Sequence, residues 1–258
     1  MNSSCNFSSI SVVAVQRMVL LVSLLIGTTI VGNLLFVVLF LMYRQIRTPF
    51  NYILLNIAVG DAIMGIFNMP QYTASYFYYG FFNCPFSEVQ WSFWIFVDYL
   101  MPSVTLTSLA ALSADCFWAV LYPATYRAHN TTRKTLVIVL FTWFLAFTGV
   151  IPGFTYIRLY LSNQSQNKTC LWGVDGVPMW TSFYALVLNV WMQFLVSLVC
   201  YVGTVFKLIR IRVTRTAVSP LRNIDRRMAR RDRQERQAFL VVTLLTLALF
   251  ISYYGLLT

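Results

Sequence analysis

Long apolar runs separated by short polar stretches dominate the chain. Six of them, residues 19–42, 51–72, 91–112, 136–156, 182–206 and 238–257, reach the roughly 20 residues that a helix needs to cross the hydrocarbon core of a bilayer. None alternates apolar with polar positions as the strands of a membrane β-barrel do. Gly32, Pro70, Pro102 and Pro152 fall inside the runs, where membrane helices tolerate them. The pattern predicts an all-α transmembrane helical bundle.

Composition agrees with the pattern. The chain is 59% hydrophobic and 10% charged, with a mean hydropathy of +0.68. A soluble domain carries about 25% charged residues, so this one lacks the polar surface to cover itself in water. The N-terminus has no basic region ahead of a short apolar core. The first run is also too long for a cleaved signal, so it is expected to act as its own insertion signal.

Charge orients the runs. The formal net charge is +11, and 16 of the 19 Lys and Arg residues lie in three segments on one predicted side. Arg44 and Arg47 follow the first run. Arg127, Arg133 and Lys134 lie between the third and fourth. Residues 207–236 hold the rest. The positive-inside rule places these segments in the cytosol and the N-terminus outside. Sequons at Asn2, Asn6, Asn163 and Asn167 all fall on the predicted outside, so these asparagines are expected to be glycosylated. Asn130 also heads a sequon but falls inside. The basic segments fit anionic lipid headgroups, at about 1 kcal/mol per charge near the surface. No zinc, recognition-helix or aromatic module accompanies them, so nucleic acid is not an expected partner.

Reactive side chains are few. Cys5, Cys84 and Cys170 fall outside, where disulfides form. Cys116 lies near the inner end of the third run and Cys200 within the fifth. Their spacings match no metal site, and His129 is the single histidine. Neither a phosphate-binding glycine loop nor a nucleophile elbow is present. An enzyme is not expected, nor is a metal or cofactor.

The polar residues inside the runs stand out. A carboxylate at the bilayer centre costs about 2.5–3.5 kcal/mol on insertion scales and is a functional candidate by default. Asp61, Asp98 and Asp115 are such residues. Asn33 and Asp61 are expected to hydrogen-bond the first two helices together. Asp98, Thr105 and Leu112 recur every seven residues and share one helix face. Pro102 cannot donate to the Asp98 carbonyl, so the helix should loosen beside that carboxylate. An acid near the mouth of a helix bundle points to a cation site. The alternative is an acid that reaches water.

These residues resemble the rhodopsin-like G protein-coupled receptors. Gly32-Asn33 is similar to the family's Gly-Asn, and Leu55-Asn56-Ile57-Ala58-Val59-Gly60-Asp61 to its Leu-Asn-Leu-Ala-x-x-Asp. The stretch Asp115-Cys116-Phe117-Trp118-Ala119-Val120-Leu121-Tyr122-Pro123 resembles Asp-Arg-Tyr-x-Ala-Val-x-x-Pro. Trp143 and Pro152, Tyr201 and Phe250 match the fourth, fifth and sixth helices. The resemblance covers nearly the whole chain in order. Asp98-Tyr99-Leu100 and Tyr126-Arg127-Ala128, followed by Thr131-Thr132, look nearest to the amine receptors of muscarinic acetylcholine and histamine type.

The resemblance implies a plasma-membrane receptor with six spans of a seven-helix fold, residues 1–18 forming an extracellular tail and residues 19–258 the transmembrane domain. It implies a small extracellular ligand, with a biogenic amine as the leading class, and a heterotrimeric G protein as partner. Asp98, Tyr99, Asn189 and Tyr254 would contact the ligand. Asn33, Asp61 and Thr105 would form a polar switch layer, which in the family can hold a sodium ion. Asp115, Cys116 and Tyr201 would face the G protein.

Several positions depart from the family. Cys116 replaces the arginine that meets the G protein, Gln193 the proline of the fifth helix, and Tyr254 and Leu256 the tryptophan and proline of the sixth. Trp91 stands where the family has its disulfide cysteine. Cys84 is the expected substitute, pairing with Cys170, with Cys5 as the rival. The seventh helix is not in the sequence. A partial gene product and a naturally shortened receptor both account for that. The second functional reading is therefore a non-signalling, receptor-derived subunit that associates with or retains full-length receptors. A transporter fits worst, because the two halves of the chain do not repeat.

Overall fold

The computed structural model describes residues 12–74, 87–163, 187 and 191–218, and all regular structure among them is helical. The elements in order are α1 (Val12–Met42), α2 (Pro49–Ile63), α3 (Met69–Ala74), α4 (Glu88–Leu121), α5 (Pro123–His129), α6 (Thr132–Asn163) and α7 (Met192–Val218). Five stretches are long and apolar enough to cross a membrane: Gln16–Met42, Pro49–Ala74, Val89–Leu121, Thr132–Tyr156 and Met192–Arg210. They coincide with the first five apolar runs. The sixth run lies outside the described residues.

The helices outrun the apolar windows. The third ends at Leu121, nine residues past the hydrophobic limit at Leu112, because its polar residues find partners without breaking the helix. Ser113 Oγ donates to the Leu109 carbonyl at 2.9 Å, and Asp115 is satisfied by Tyr126 of the following helix, α5. At the other end, Ser87 and Gln90 form a capping box that satisfies the first N–H groups of α4. Arg47 closes α1 by donating from Nε to the Phe40 carbonyl at 3.1 Å and from Nη2 to the Leu41 carbonyl at 2.6 Å. The Thr48 side chain caps α2, with Pro49 in the first turn, where its missing N–H is not needed.

A π-turn at Met64–Asn68 separates α2 from α3 within one span. Pro70 explains it. Its nitrogen cannot donate to the Ile66 carbonyl, and its ring crowds that carbonyl. The extra residue of the wide turn relieves the clash and rotates everything beyond it.

α4 is the centre of the bundle. It packs against α2, α6 and α7, and 56% of its span is buried against 6% for α1. Small residues let its neighbours approach. Ser103, Ser108 and Ala110 are buried on it, the composition membrane interfaces favour. One core cluster joins Val97, Leu100, Met101 and Val104 to Ala146 and Val150 of α6. A second joins Ile53 and Ile57 to Leu109 and Leu112. Two glycines mark close approaches. A Cβ on Gly65 would stand 2.9 Å from Ile30, and one on Gly203 would collide with the Phe117 ring. The outward faces stay apolar, as at Leu20, Leu21, Leu24, Leu25, Val137, Leu140 and Val199. In lipid that exposure loses no hydrophobic free energy.

Candidate functional site

Three polar layers cross the bundle. The first lies where the span of α2 and α3 finishes and α4 begins. Asn68 is 2% exposed, and its Nδ2 donates to Asp98 Oδ1 at 2.7 Å. Asp98 therefore faces the α2–α3 span. The π-turn carries Asn68 into this contact. The amide must turn its nitrogen toward the carboxylate, which leaves the Asn68 oxygen pointing elsewhere. That oxygen is buried with no hydrogen-bond partner, and burying an acceptor so costs about 1–3 kcal/mol. A cavity of about 180 Å³ adjoins Asn68 but not Asp98, lined by Phe67, Asn68, Gln71, Gln90, Phe93, Trp94 and Val97. Tyr99 is 53% exposed and occupies a different face of α4 from Asp98.

The second layer lies one to two turns deeper. Thr105 Oγ1 donates to Asp61 Oδ1 at 3.1 Å, joining α4 to α2. A Cβ on Gly60 would stand 3.2 Å from the same hydroxyl. Asn33 is not part of this contact. Its Nδ2 donates to the Thr29 carbonyl of its own helix at 2.9 Å, so the expected bond between Asn33 and Asp61 is replaced by one within α1. An amide four residues from a carbonyl on the same helix face reaches it without help from a neighbour. Asp61 and Thr105 bring a carboxylate and a hydroxyl oxygen together in one set. Asn33, turned to Thr29, adds nothing to that set.

Between these layers and the far end, Asn56 ties three helices. Its Nδ2 donates to Ser108 Oγ at 2.8 Å, and its Oδ1 accepts from Trp143 Nε1 at 2.8 Å. Ser108 Oγ also donates to the Val104 carbonyl at 2.6 Å.

The third layer sits at the junction of α4 and α5. Tyr126 donates its hydroxyl to Asp115 Oδ2 at 2.8 Å. Burial and then the Asp115 charge push the Tyr126 phenol well above its ordinary range, so it remains a donor at physiological pH. Its ring meets Trp118 edge-on at 5.0 Å. Lys134 places its ammonium 3.8 Å from the Trp118 ring centre and attracts the Asp115 carboxylate. Cys116 is buried beside this group, and both it and Cys200 are free thiols. Tyr201 is half-buried on α7, next to Cys200.

The sequence pointed to Asp98, Asp61, Thr105 and Asp115, and each has a polar partner here. It did not point to Asn68 or to the Lys134–Trp118 contact. Asn68 was legible as a polar residue of its apolar run, after Asn51, Asn56 and Asp61, but a neutral amide raises no charge alarm. Asn189, Tyr254, Cys84, Cys170, Asn2, Asn6 and Asn167 lie outside the described residues, while Asn163 closes α6. Among the described residues no group of three or more His, Cys, Asp and Glu could hold a metal ion.

Comparison with known proteins fits this architecture. The 7 transmembrane receptor (rhodopsin family) profile matches residues 32–257. The muscarinic acetylcholine receptor M3 of Gallus gallus is 28% identical over 151 residues, covering 57% of this chain and 23% of that receptor. The M4 receptor of Gallus gallus is 30% identical over 140 residues, covering 54% and 28%. The M3 receptor of Rattus norvegicus is 27% identical over 137 residues, covering 53% and 23%. The aligned stretch thus spans about a quarter of each relative's length. A match over most of the chain, carried by an all-helical bundle with apolar outer faces, fixes its class: the chain belongs to the rhodopsin family of 7 transmembrane receptors.

Proposed function

We propose that this multi-pass membrane protein is a receptor for a small extracellular ligand of the protonated-amine class, coupled to a heterotrimeric G protein. The observation that carries the ligand class is Asp98, an intramembrane carboxylate turned toward the α2–α3 span and bonded there to Asn68. Similarity to muscarinic acetylcholine receptors supports the coarser class, a small organic cation. In this reading Asp98 anchors the ligand cation, and Asn189 and Tyr254 complete its surroundings, while the expected contact from Tyr99 is lost to its place on another face of α4. Asp61 and Thr105 form the switch layer and would hold a sodium ion, with Asn33 at its edge. The extracellular tail precedes the first span, which begins at Gln16 and not at the expected residue 19, and the receptor domain follows. Asn2, Asn6, Asn163 and Asn167 carry glycans in the plasma membrane. The ligand biases a bundle with two packings, and it does so only by binding one of them better. The direct test is an amine-binding panel on the protein with and without Asp98→Asn.

Cys116 favours a second reading, a receptor-derived subunit that associates with full receptors without signalling. A small, weakly polar thiol cannot pair with acids or reach a G protein as an arginine does. The Asp115 carboxylate is instead held by the Tyr126 hydroxyl. We expect weak or absent G protein activation, measured as agonist-driven nucleotide exchange in reconstituted membranes. Robust exchange would remove the subunit reading.

The extracellular disulfide is a separate expectation. Cys84 and Cys170 pair, and peptide mapping under non-reducing conditions should recover them as one linked fragment. Linkage of either to Cys5 would refute the pairing.

A further inference from the structure

The C-terminal end of α4 has a charge requirement that its own sequence does not meet. A helix C-terminus favours cations, yet the last turn of α4 holds no basic residue. Asp115 adds a negative charge nearby, and Cys116 beside it is a buried free thiol, which behaves as a small hydrophobe. The first turn of α6 has the opposite difficulty. Arg133 and Lys134 stand at a helix N-terminus with no acid in that turn, so their charges oppose the α6 dipole. Lys134 answers both. Its ammonium reaches the last turn of α4 and stands 3.8 Å from the centre of the Trp118 ring, where it also attracts Asp115. Trp118 in turn meets α5. The Tyr126 ring packs edge-on against it at 5.0 Å, and the Tyr126 hydroxyl donates to Asp115 at 2.8 Å. α5 has only seven residues and none of them is buried. A helix that short does not hold by its own hydrogen bonds, so the contacts of Tyr126 are what dock it.

We infer that Lys134 and Trp118 form a clamp that fixes α5 against α4, with Trp118 as the positioning residue between the α6 cation and Tyr126. The ammonium on the ring face sets the plane of the indole. The plane of the indole sets where Tyr126 packs, and Tyr126 so placed reaches Asp115. The charge on Lys134 therefore governs a neighbouring helix. Removing it loosens α5 while the bond between Tyr126 and Asp115 keeps both of its partners. The clamp is complete within α4, α5 and α6, and it does not depend on the ligand class proposed above.

The experiment uses the full chain in nanodiscs of neutral phospholipid. Hydrogen exchange is read at Tyr126 and Asn130, whose amides donate to the Tyr122 and Tyr126 carbonyls at 2.9 and 2.8 Å and so report the opening of α5. The variants are Lys134→Gln, Lys134→Arg, Trp118→Leu and the double variant with Lys134→Gln and Trp118→Leu. Helicity and an unreactive Cys200 thiol, buried on α7, show that each variant folds. Lys134→Gln should speed exchange at both amides about two- to fivefold, and Trp118→Leu about five- to fiftyfold. Lys134→Arg should match the wild-type protein, because a guanidinium also stacks on the ring. The double variant should exchange at the rate of Trp118→Leu, because Lys134 acts through that ring. The two Lys134 variants decide the matter by themselves if Trp118→Leu does not fold. Unprotected amides in the wild-type protein would overturn the clamp. So would unchanged exchange in Lys134→Gln, or exchange in Lys134→Arg as fast as in Lys134→Gln. A full further acceleration in the double variant would also overturn it, because Lys134 would then act without Trp118.

Discussion

Asp98→Asn should weaken binding of an amine ligand about 30-fold to several thousandfold, the equivalent of roughly 2–5 kcal/mol for truncating one partner of a desolvated charge pair. The geometry makes this substitution a clean test. Asparagine keeps the size of the side chain and an oxygen to accept from Asn68, so the bond at 2.7 Å has a direct replacement. What disappears is the negative charge. A carboxylate facing lipid would have no such partner and would be costly to insert, whereas Asp98 is turned toward α2 and α3. Pro102, one turn further on, removes the donor for the Asp98 carbonyl but does not swing the side chain outward. The measurement is a panel of amine ligands against the protein and the variant, alongside thermal stability. Unchanged amine affinity in Asp98→Asn would end the anchor role. Equal loss of affinity for neutral ligands would point to general damage instead.

Asn56→Leu should destabilise the bundle by roughly 2–4 kcal/mol. Two interhelical hydrogen bonds are lost, each worth about 0.6 kcal/mol on average in membrane proteins. The Trp143 N–H is also left buried without its acceptor, at about 1–3 kcal/mol. The leucine keeps the branched heavy-atom shape of asparagine, so the loss is chiefly one of hydrogen bonds. Trp143→Phe removes the donor at the other end of the same bond. The double substitution should therefore destabilise less than the sum of the singles, because neither orphan then remains. Thermal unfolding can be followed through the buried Cys116 and Cys200 thiols, which react with a fluorogenic maleimide only when the core opens. Strict additivity would show that the Asn56–Trp143 bond contributes nothing to the fold.

The class of fold was written in the chain. Runs of about 20 apolar residues have one stable solution in a bilayer, because each helix satisfies its own backbone and no other open segment can. The five described spans follow from that rule alone, and the family follows from motifs that keep their order and spacing. The carboxylates were legible for a similar reason. A charge inside an apolar run is expensive enough to be noticed without any structure.

What the sequence did not determine was who meets whom. Asn33 and Asp61 looked like natural partners on adjacent helices, yet Asn33 bonds to its own helix and Asp61 to Thr105. Periodicity fixes which residues share a face but not how two faces are rotated against each other. The π-turn before Pro70 shows the size of that gap. One extra residue in a turn rotates the rest of the span, and Asn68 becomes the partner of Asp98. The capture of Asp115 by Tyr126 likewise required the α5 turn to fold back beneath α4. Local chemistry chose the helices and flagged their costly residues. Rotation and packing of the helices decided which costs were met, and left the Asn68 oxygen as an acceptor still without a donor.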